Sequence, residues 1–457
     1  MLKKLLLTLL ISLLTIALVA CGNNGDKEEG NKDEGNKENT ETNATPSESN
    51  TDSSVVTSLD QPIEIEFWHA MSGGHEQALE KITDDFNASQ ENITVKLVNQ
   101  GSYDDLSTKN MAAARANTLP VLTQSYEDWI TEYLENDLVA DMTPYVTDSE
   151  IGFSEEELND IVEVFREMNT WDGKYYGLPF NKSTRIMFYN VDYLEEAGVD
   201  VPTTWDELRK VAEATTGEKD GRNVIGLGLE NSVTLEFNQW VHQAGGVYFD
   251  EANGTFEMNS AEGKEALEFV YGMIEDGIAR TAGEDGYMSE PFARGDVALY
   301  IGSSAGIPYV AAPAEENGLN WGAAVLPAGK QAATPFAGTN VSVFSSATEE
   351  EKYAAWEYMK FLINTENTTY WAMESGYLPV RYSALESDEW KAYVSENPEY
   401  GVGEQQFDAG FYDPRIKGAY ALKNAVAKEL DRVLLGEITV DEGLANAEEA
   451  ANRELGQ

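Results

Sequence analysis

From Pro62 onward the chain alternates two textures, and this alternation limits the fold more than any other feature. Ile63-Glu64-Ile65-Glu66-Phe67 places apolar residues at every second position, as a half-buried strand does. Leu79, Ile82 and Phe86 then recur at helical spacing. The pair repeats, with Ile93 to Val98 as a strand, Leu106 to Ala116 as a helix and a short apolar run, Val121-Leu122, after Pro120. Strands alternating with helices predict an open α/β sheet. Such sheets bind ligands beyond the carboxyl ends of their strands, so His69 to Gly74, Tyr103, and Ser125 to Glu127 are expected as site loops. About 400 residues exceed one ordinary core, and two lobes with a cleft between them follow. Further helices are expected over Lys352 to Ile363, with Trp356, Met359 and Ile363 on one face, and over Glu429 to Leu455.

Cys21 is the only cysteine, so an internal disulfide and a thiolate metal site are both impossible and stability must come from core burial. Its position matters more than its number. Lys3 and Lys4 precede an apolar run from Leu5 to Ala20 that ends in Leu18-Val19-Ala20-Cys21. That order describes a secretory signal, and cysteine directly after small residues resembles a lipobox, in which the thiol takes a diacylglyceryl group and becomes the new N-terminus. The run falls short of the ~20 residues that span hydrocarbon, which argues against a retained anchor helix. The Gly/Asn/Lys/Glu-rich and Ser/Thr/Asn-rich stretch that follows, to about Thr57, reads as a solvated tether with a root-mean-square span of roughly 30 Å.

Lys and Arg number 31 against 81 Asp and Glu, a formal net charge of −50. This excludes nucleic acid as a partner and means that any anionic ligand must be held by local donors against the general field. No cofactor is expected.

Several ordered motifs carry a resemblance. Phe67-Trp68-His69-Ala70-Met71-Ser72-Gly73-Gly74, Gly101-Ser102-Tyr103 and Gln124-Ser125-Tyr126-Glu127 come first. Pro179-Phe180-Asn181-Lys182-Ser183-Thr184, Pro202-Thr203-Thr204-Trp205-Asp206-Glu207-Leu208, Gly295-Asp296 before Ser303-Ser304, and Gly376-Tyr377-Leu378-Pro379 follow. In this order they resemble the extracellular solute-binding proteins of ABC importers, in the branch for carbohydrates and sn-glycerol-3-phosphate. The resemblance implies a two-lobed α/β fold of the periplasmic-binding-protein type with several chain crossovers. It divides the chain into a signal (1–20), a lipid-anchored linker (21–60), an N-terminal lobe (61–176 and 303–348) and a C-terminal lobe (177–302 and 349–457). A monomer anchored outside the cytoplasm, handing a small polar ligand to permease transmembrane subunits, is the expected partner arrangement.

Matched motif by motif, the resemblance implies ligand contacts from Tyr103, Glu127, Ser183, Ser303 (or its neighbour Ser304), Gly338, Tyr377 and Arg415. Such a set suits a polyol phosphate. Arg415 would offer phosphate a planar fork of charged donors, hydroxyls and the Gly338 N–H would complete the oxygen shell, and acceptor-only Glu127 would hold vicinal hydroxyls. Relatives present tryptophans in the segment matching Leu229 to Thr234, where this chain has none; the nearest is Trp240. Apolar contact is therefore expected from Trp68, Tyr126 or Tyr377, and a sugar or a glycerophosphodiester is an alternative ligand. Lys182 is expected to face solvent, with a second charge beside phosphate as the alternative. His69 is expected to pack and hydrogen-bond rather than ligate.

The only histidines are His69, His75 and His242, and HExxH and Walker-type patterns are missing from the sequence. An enzyme is not expected. The competing reading is a secreted carbohydrate-active enzyme with a carboxylate pair, motivated only by the abundance of Asp and Glu.

Overall fold

The computed structural model of the protein describes residues 55–219 and 221–456. Cys21, the apolar run before it and most of the tether lie outside the described residues. Val55 and Leu59, expected within the linker, pack against the first core cluster and so belong to the globular body.

The alternation read from the sequence is realised. Strand β1 (Ile63–His69) runs parallel to β2 (Ile93–Asn99) and, near its end, to β3 (Leu122–Ser125). Helix α1 (Gly74–Ser89) buries Leu79, Ile82 and Phe86. Helix α2 (Tyr103–Ala116) begins at a reciprocal cap: the Ser102 hydroxyl accepts from the Asp105 N–H while the Asp105 carboxylate accepts from the Ser102 N–H. That cap fixes where Tyr103 starts. Helix α3 (Glu127–Glu135) begins immediately after β3, so Glu127 falls in its first turn.

Beyond β3 the sheet continues through two long strands that change partner. The thirteen-residue strand Leu178–Asn190 pairs by its first half with Thr334–Val343 and by its second half with Val297–Ser303. Thr334–Val343 in turn pairs antiparallel with β3. The order across the sheet is Ala279–Thr281, Arg222–Leu229, Val297–Ser303, Leu178–Asn190, Thr334–Val343, β3, β1, β2.

Two lobes form because side chains on either side of this changeover collect into separate cores. One core holds Phe67, Leu79, Trp356, Tyr358, Met359 and Trp371. The other side holds Leu208, Leu227, Trp240, Val270, Leu422 and Leu444 in one cluster and Ile186, Phe188, Tyr300, Ile307 and Val310 in a second. This partition corrects the expected boundaries. Residues 349–380 pack with the N-terminal lobe, since Trp356 and Met359 lie under β1. Ile307, Val310 and Trp321 pack with the C-terminal lobe, because the strand Trp321–Ala324 pairs with the second half of Leu178–Asn190. The helix expected over Glu429 to Leu455 is two: Ala419–Leu434 and Val440–Glu454 fold back on each other across Gly436, whose φ of 70° a side chain would oppose.

Candidate functional site: the cleft between the lobes

Two cavities of about 610 and 760 Å³ open between the lobes and share Tyr103, Tyr126, Arg185, Ser232 and Ala337, so they are compartments of one cleft. Six of the seven expected ligand residues line it. Tyr103 lines both compartments, Glu127 the first, and Ser183, Ser303, Gly338 and Tyr377 the second. Of the serine pair, Ser303 faces the cavity; Ser304 is buried and its hydroxyl accepts from the Thr184 N–H at 3.3 Å.

The N-terminal wall is a closed polar network. Glu127 Oε1 accepts from Lys182 Nζ at 2.8 Å and from Asn340 Nδ2 at 2.9 Å, and Lys182 Nζ donates also to the Gly338 carbonyl at 3.0 Å. Lys182 is fully buried, which corrects its expected solvent-facing place. It is the ion-pair partner of Glu127, and burial pushes its pKa down against the pull of that carboxylate. Gln124 accepts from the Ala70 N–H at 2.8 Å and donates to Asn181 and Thr339, each at 3.0 Å. Asn181 Nδ2 donates to the Tyr103 hydroxyl at 3.0 Å. Burial holds the phenols of Tyr103, Tyr126 and Tyr377 above their ordinary range, so all three stay protonated donors. Gly338 is required here: its φ is 114°, and a Cβ would stand 1.9 Å from the Asn181 carbonyl oxygen, beside a register shift at Thr339/Asn340.

The C-terminal wall is built differently. Arg185, on Leu178–Asn190, is the cross-strand partner of Ser303 and pairs with Glu236, which also accepts from Ser232 at 2.9 Å. Tyr287 and Tyr309 stand at the mouth of the second compartment, 76% and 51% exposed. Sequence reasoning missed Arg185, Trp129, Tyr287 and Tyr309. Only strand alternation from Ser183 to Arg185 offered a signal, and only for the arginine.

Arg415 lines neither compartment. Its guanidinium donates to the carbonyls of Glu167, at 2.9 Å, and Thr170, and lies over the rings of Trp171 and Tyr412, each 5.2 Å from centroid. The expected phosphate fork is thus held by the backbone in this conformation, two residues past Asp413, which does line the cleft. Of the expected apolar contacts, Tyr126 and Tyr377 line the cleft, whereas Trp68 donates to Glu66 and Trp240 is buried in the C-terminal core beside Trp205. His69 is buried and its Nδ1 accepts from the Met71 N–H at 3.2 Å, as a packed, neutral histidine does. Among the described residues no cluster of His, Cys, Asp and Glu could hold a metal, and no helix is long and apolar enough to cross a membrane.

A mixed α/β body of two lobes around a polar, aromatic-edged cleft defines a solute receptor. Residues 81–398, more than half of the chain, match the bacterial extracellular solute-binding protein family, and the chain belongs to it. It is accordingly extracytoplasmic; solute-binding proteins of ABC importers take up small polar ligands and deliver them to permease subunits. Among curated proteins it is similar to the sn-glycerol-3-phosphate-binding periplasmic protein UgpB of Rhizobium meliloti, 26% identical over 73% of this chain and 79% of that protein. The protein of the same name in Salmonella typhimurium is 24% identical over 86% and 92%. Among solved structures, the cyclic α-maltosyl-1,6-maltose binding protein of Arthrobacter globiformis matches with a TM-score of 0.74 at 25% identity, covering 86% of this chain and 99% of that one. UgpB from Mycobacterium tuberculosis in complex with glycerophosphocholine matches with a TM-score of 0.74 at 22% identity, covering 86% and 98%.

Proposed function

We propose that this chain is the lipid-anchored, monomeric substrate-binding protein of an ABC importer for sn-glycerol-3-phosphate or a glycerophosphodiester, tethered through Cys21. What carries the reading is the convergence of Tyr103, Ser183, Ser303, Gly338 and Tyr377 on one cleft whose floor holds Glu127. Hydroxyl and backbone donors suit phosphate oxygens. The Glu127 carboxylate, already balanced by Lys182, can accept from vicinal hydroxyls without adding net charge to the floor. The likeness to curated glycerol-phosphate receptors supports the same ligand. Its role is capture without chemistry.

A second reading, a neutral sugar or oligosaccharide, is favoured by one observation. Tyr287 and Tyr309 are exposed at the mouth of a 760 Å³ compartment, where aromatic faces suit pyranose rings and the space exceeds that of a glycerol phosphate.

Isothermal titration of the purified body against sn-glycerol-3-phosphate, glycerophosphocholine and maltose separates the two. Binding of a phosphate-bearing ligand, recovered unchanged, supports the first reading, and such a ligand at a hundredfold its dissociation constant raises stability by about 2.7 kcal/mol. Heat with maltose alone replaces it with the second, and turnover of any of them overturns the receptor role. Cys21→Ala is expected to release the protein from the cell surface; retention would refute the anchor.

A further inference from the structure

The geometry points to Arg185 as the residue that holds the anionic group of the ligand, an inference that rests on the polyol-phosphate reading above. Ser183 and Arg185 are alternate residues of one strand and therefore share a face. Both are half-buried, whereas Lys182 and Thr184 between and beside them are fully buried on the other side. Across the strand pair Arg185 stands opposite Ser303. Three side-chain donors, Ser183, Arg185 and Ser303, thus meet on one patch of the cleft lining.

Arg185 also lies where the compartments join, since it lines both. A phosphate there has room on either side: the first compartment, which holds Glu127, for the glycerol hydroxyls, and the second, edged by Tyr287 and Tyr309, for a diester substituent. The guanidinium is only partly engaged. Its Nη2 pairs with Glu236, and that carboxylate is its sole side-chain hydrogen-bond partner among the described residues. Two faces of the fork remain for a ligand. An arginine keeps its charge despite burial, so the site offers a permanent cation that is paired with Glu236 and also feels the Glu230 carboxylate. The other candidates are engaged elsewhere: Lys182 by Glu127, Lys423 by Asp413, and Arg415 by two backbone carbonyls. Glu236 then acts as a competitor that positions Arg185 and sets how strongly it attracts an anion.

Titration calorimetry with sn-glycerol-3-phosphate and glycerophosphocholine on wild type, Arg185→Gln, Arg185→Lys, Glu236→Gln and Arg415→Gln tests this. Arg185→Gln is expected to weaken the phosphate-bearing ligand at least thirtyfold, on the order of losing a charge-assisted hydrogen bond pair. Arg185→Lys should recover only part of that, because an ammonium lacks the planar fork. Glu236→Gln should tighten binding several-fold, a gain that a merely structural role for Arg185 would not give, and Arg415→Gln should change affinity less than threefold. If wild type binds and Arg185→Gln, with an unliganded melting temperature equal to wild type, binds equally well, Arg185 is not the anion contact. Where that variant melts early, a Glu236→Gln variant with unchanged or weaker affinity overturns the assignment instead. Wild type that binds neither phosphate-bearing ligand overturns the underlying reading rather than the choice of residue.

Discussion

The two walls of the cleft are opposites in how they handle charge. On the N-terminal wall Glu127, Lys182, Asn340 and the Gly338 carbonyl satisfy one another, and Gln124, Asn181 and Thr339 form a second closed set behind Tyr103. The C-terminal wall sets separate pairs, Arg185 with Glu236 and Lys423 with Asp413, beside two tyrosines that face solvent. A buried and mutually satisfied network is rigid, and breaking one member strands another. A partly buried pair with unused donors can exchange its partner for a ligand. The first wall therefore fixes shape, and the second supplies adjustable attraction.

Substitutions test this contrast, and the largest effect is expected deepest in the first wall. Lys182→Met leaves Glu127 without its counter-ion at the cleft floor and should lower unfolding free energy by about 3–5 kcal/mol in urea melts, with much of it restored in the Lys182→Met/Glu127→Gln double variant. A double variant as unstable as the single would break the comparison. Acid should act on the same lobe. His69 is pushed down to about 4 by burial, so the folded state binds fewer protons than the unfolded state between the ordinary value of 6.5 and about 4. Its contribution is intact above 6.5 and is lost as pH falls through that window, up to about 3 kcal/mol. His69→Gln should show a shallower loss of melting temperature from pH 7 to 4.5; an identical slope would remove His69 as a cause. Gly338→Ala, forced to φ of 114° against the Asn181 carbonyl, should cost about 2 kcal/mol. Tyr287→Ala on the second wall should move stability by less than about 0.5 kcal/mol. If the saccharide reading holds, it should weaken sugar binding roughly fivefold, a stacking loss of about 1 kcal/mol.

The sequence revealed what is local. The strand and helix starts around β1, α1 and α2 follow from period and caps, and the helix starts that carry Tyr103 and Glu127 lie just past strand ends, as expected, whereas Ser183, matched by motif, lies inside a strand. Long-range partners were hidden. Lys182 reads as a surface lysine because its counter-ion is 55 residues away, and the lobe boundaries were misplaced because the two long strands change partners midway. Gly436 inside an apolar stretch was read through, though it ends one helix and lets the next fold back on it. An isolated aromatic such as Tyr287 has no period and therefore no signal. Arg415 was matched by type, but its chemistry here is set by carbonyls some 245 residues earlier in the chain.

The strand Leu178–Asn190 passes from one lobe's partner to the other's between Thr184 and Arg185. Any rotation of one lobe against the other that bends this strand has its fulcrum there, and displacement grows with distance from a fulcrum. Ser183 and Arg185 sit almost on it and would travel little, whereas Tyr287 at the rim would sweep a longer arc. A small adjustment around the bound molecule at the pivot is thus geared up into a large displacement at the lips, the surface that any docking machinery outside the cleft would feel.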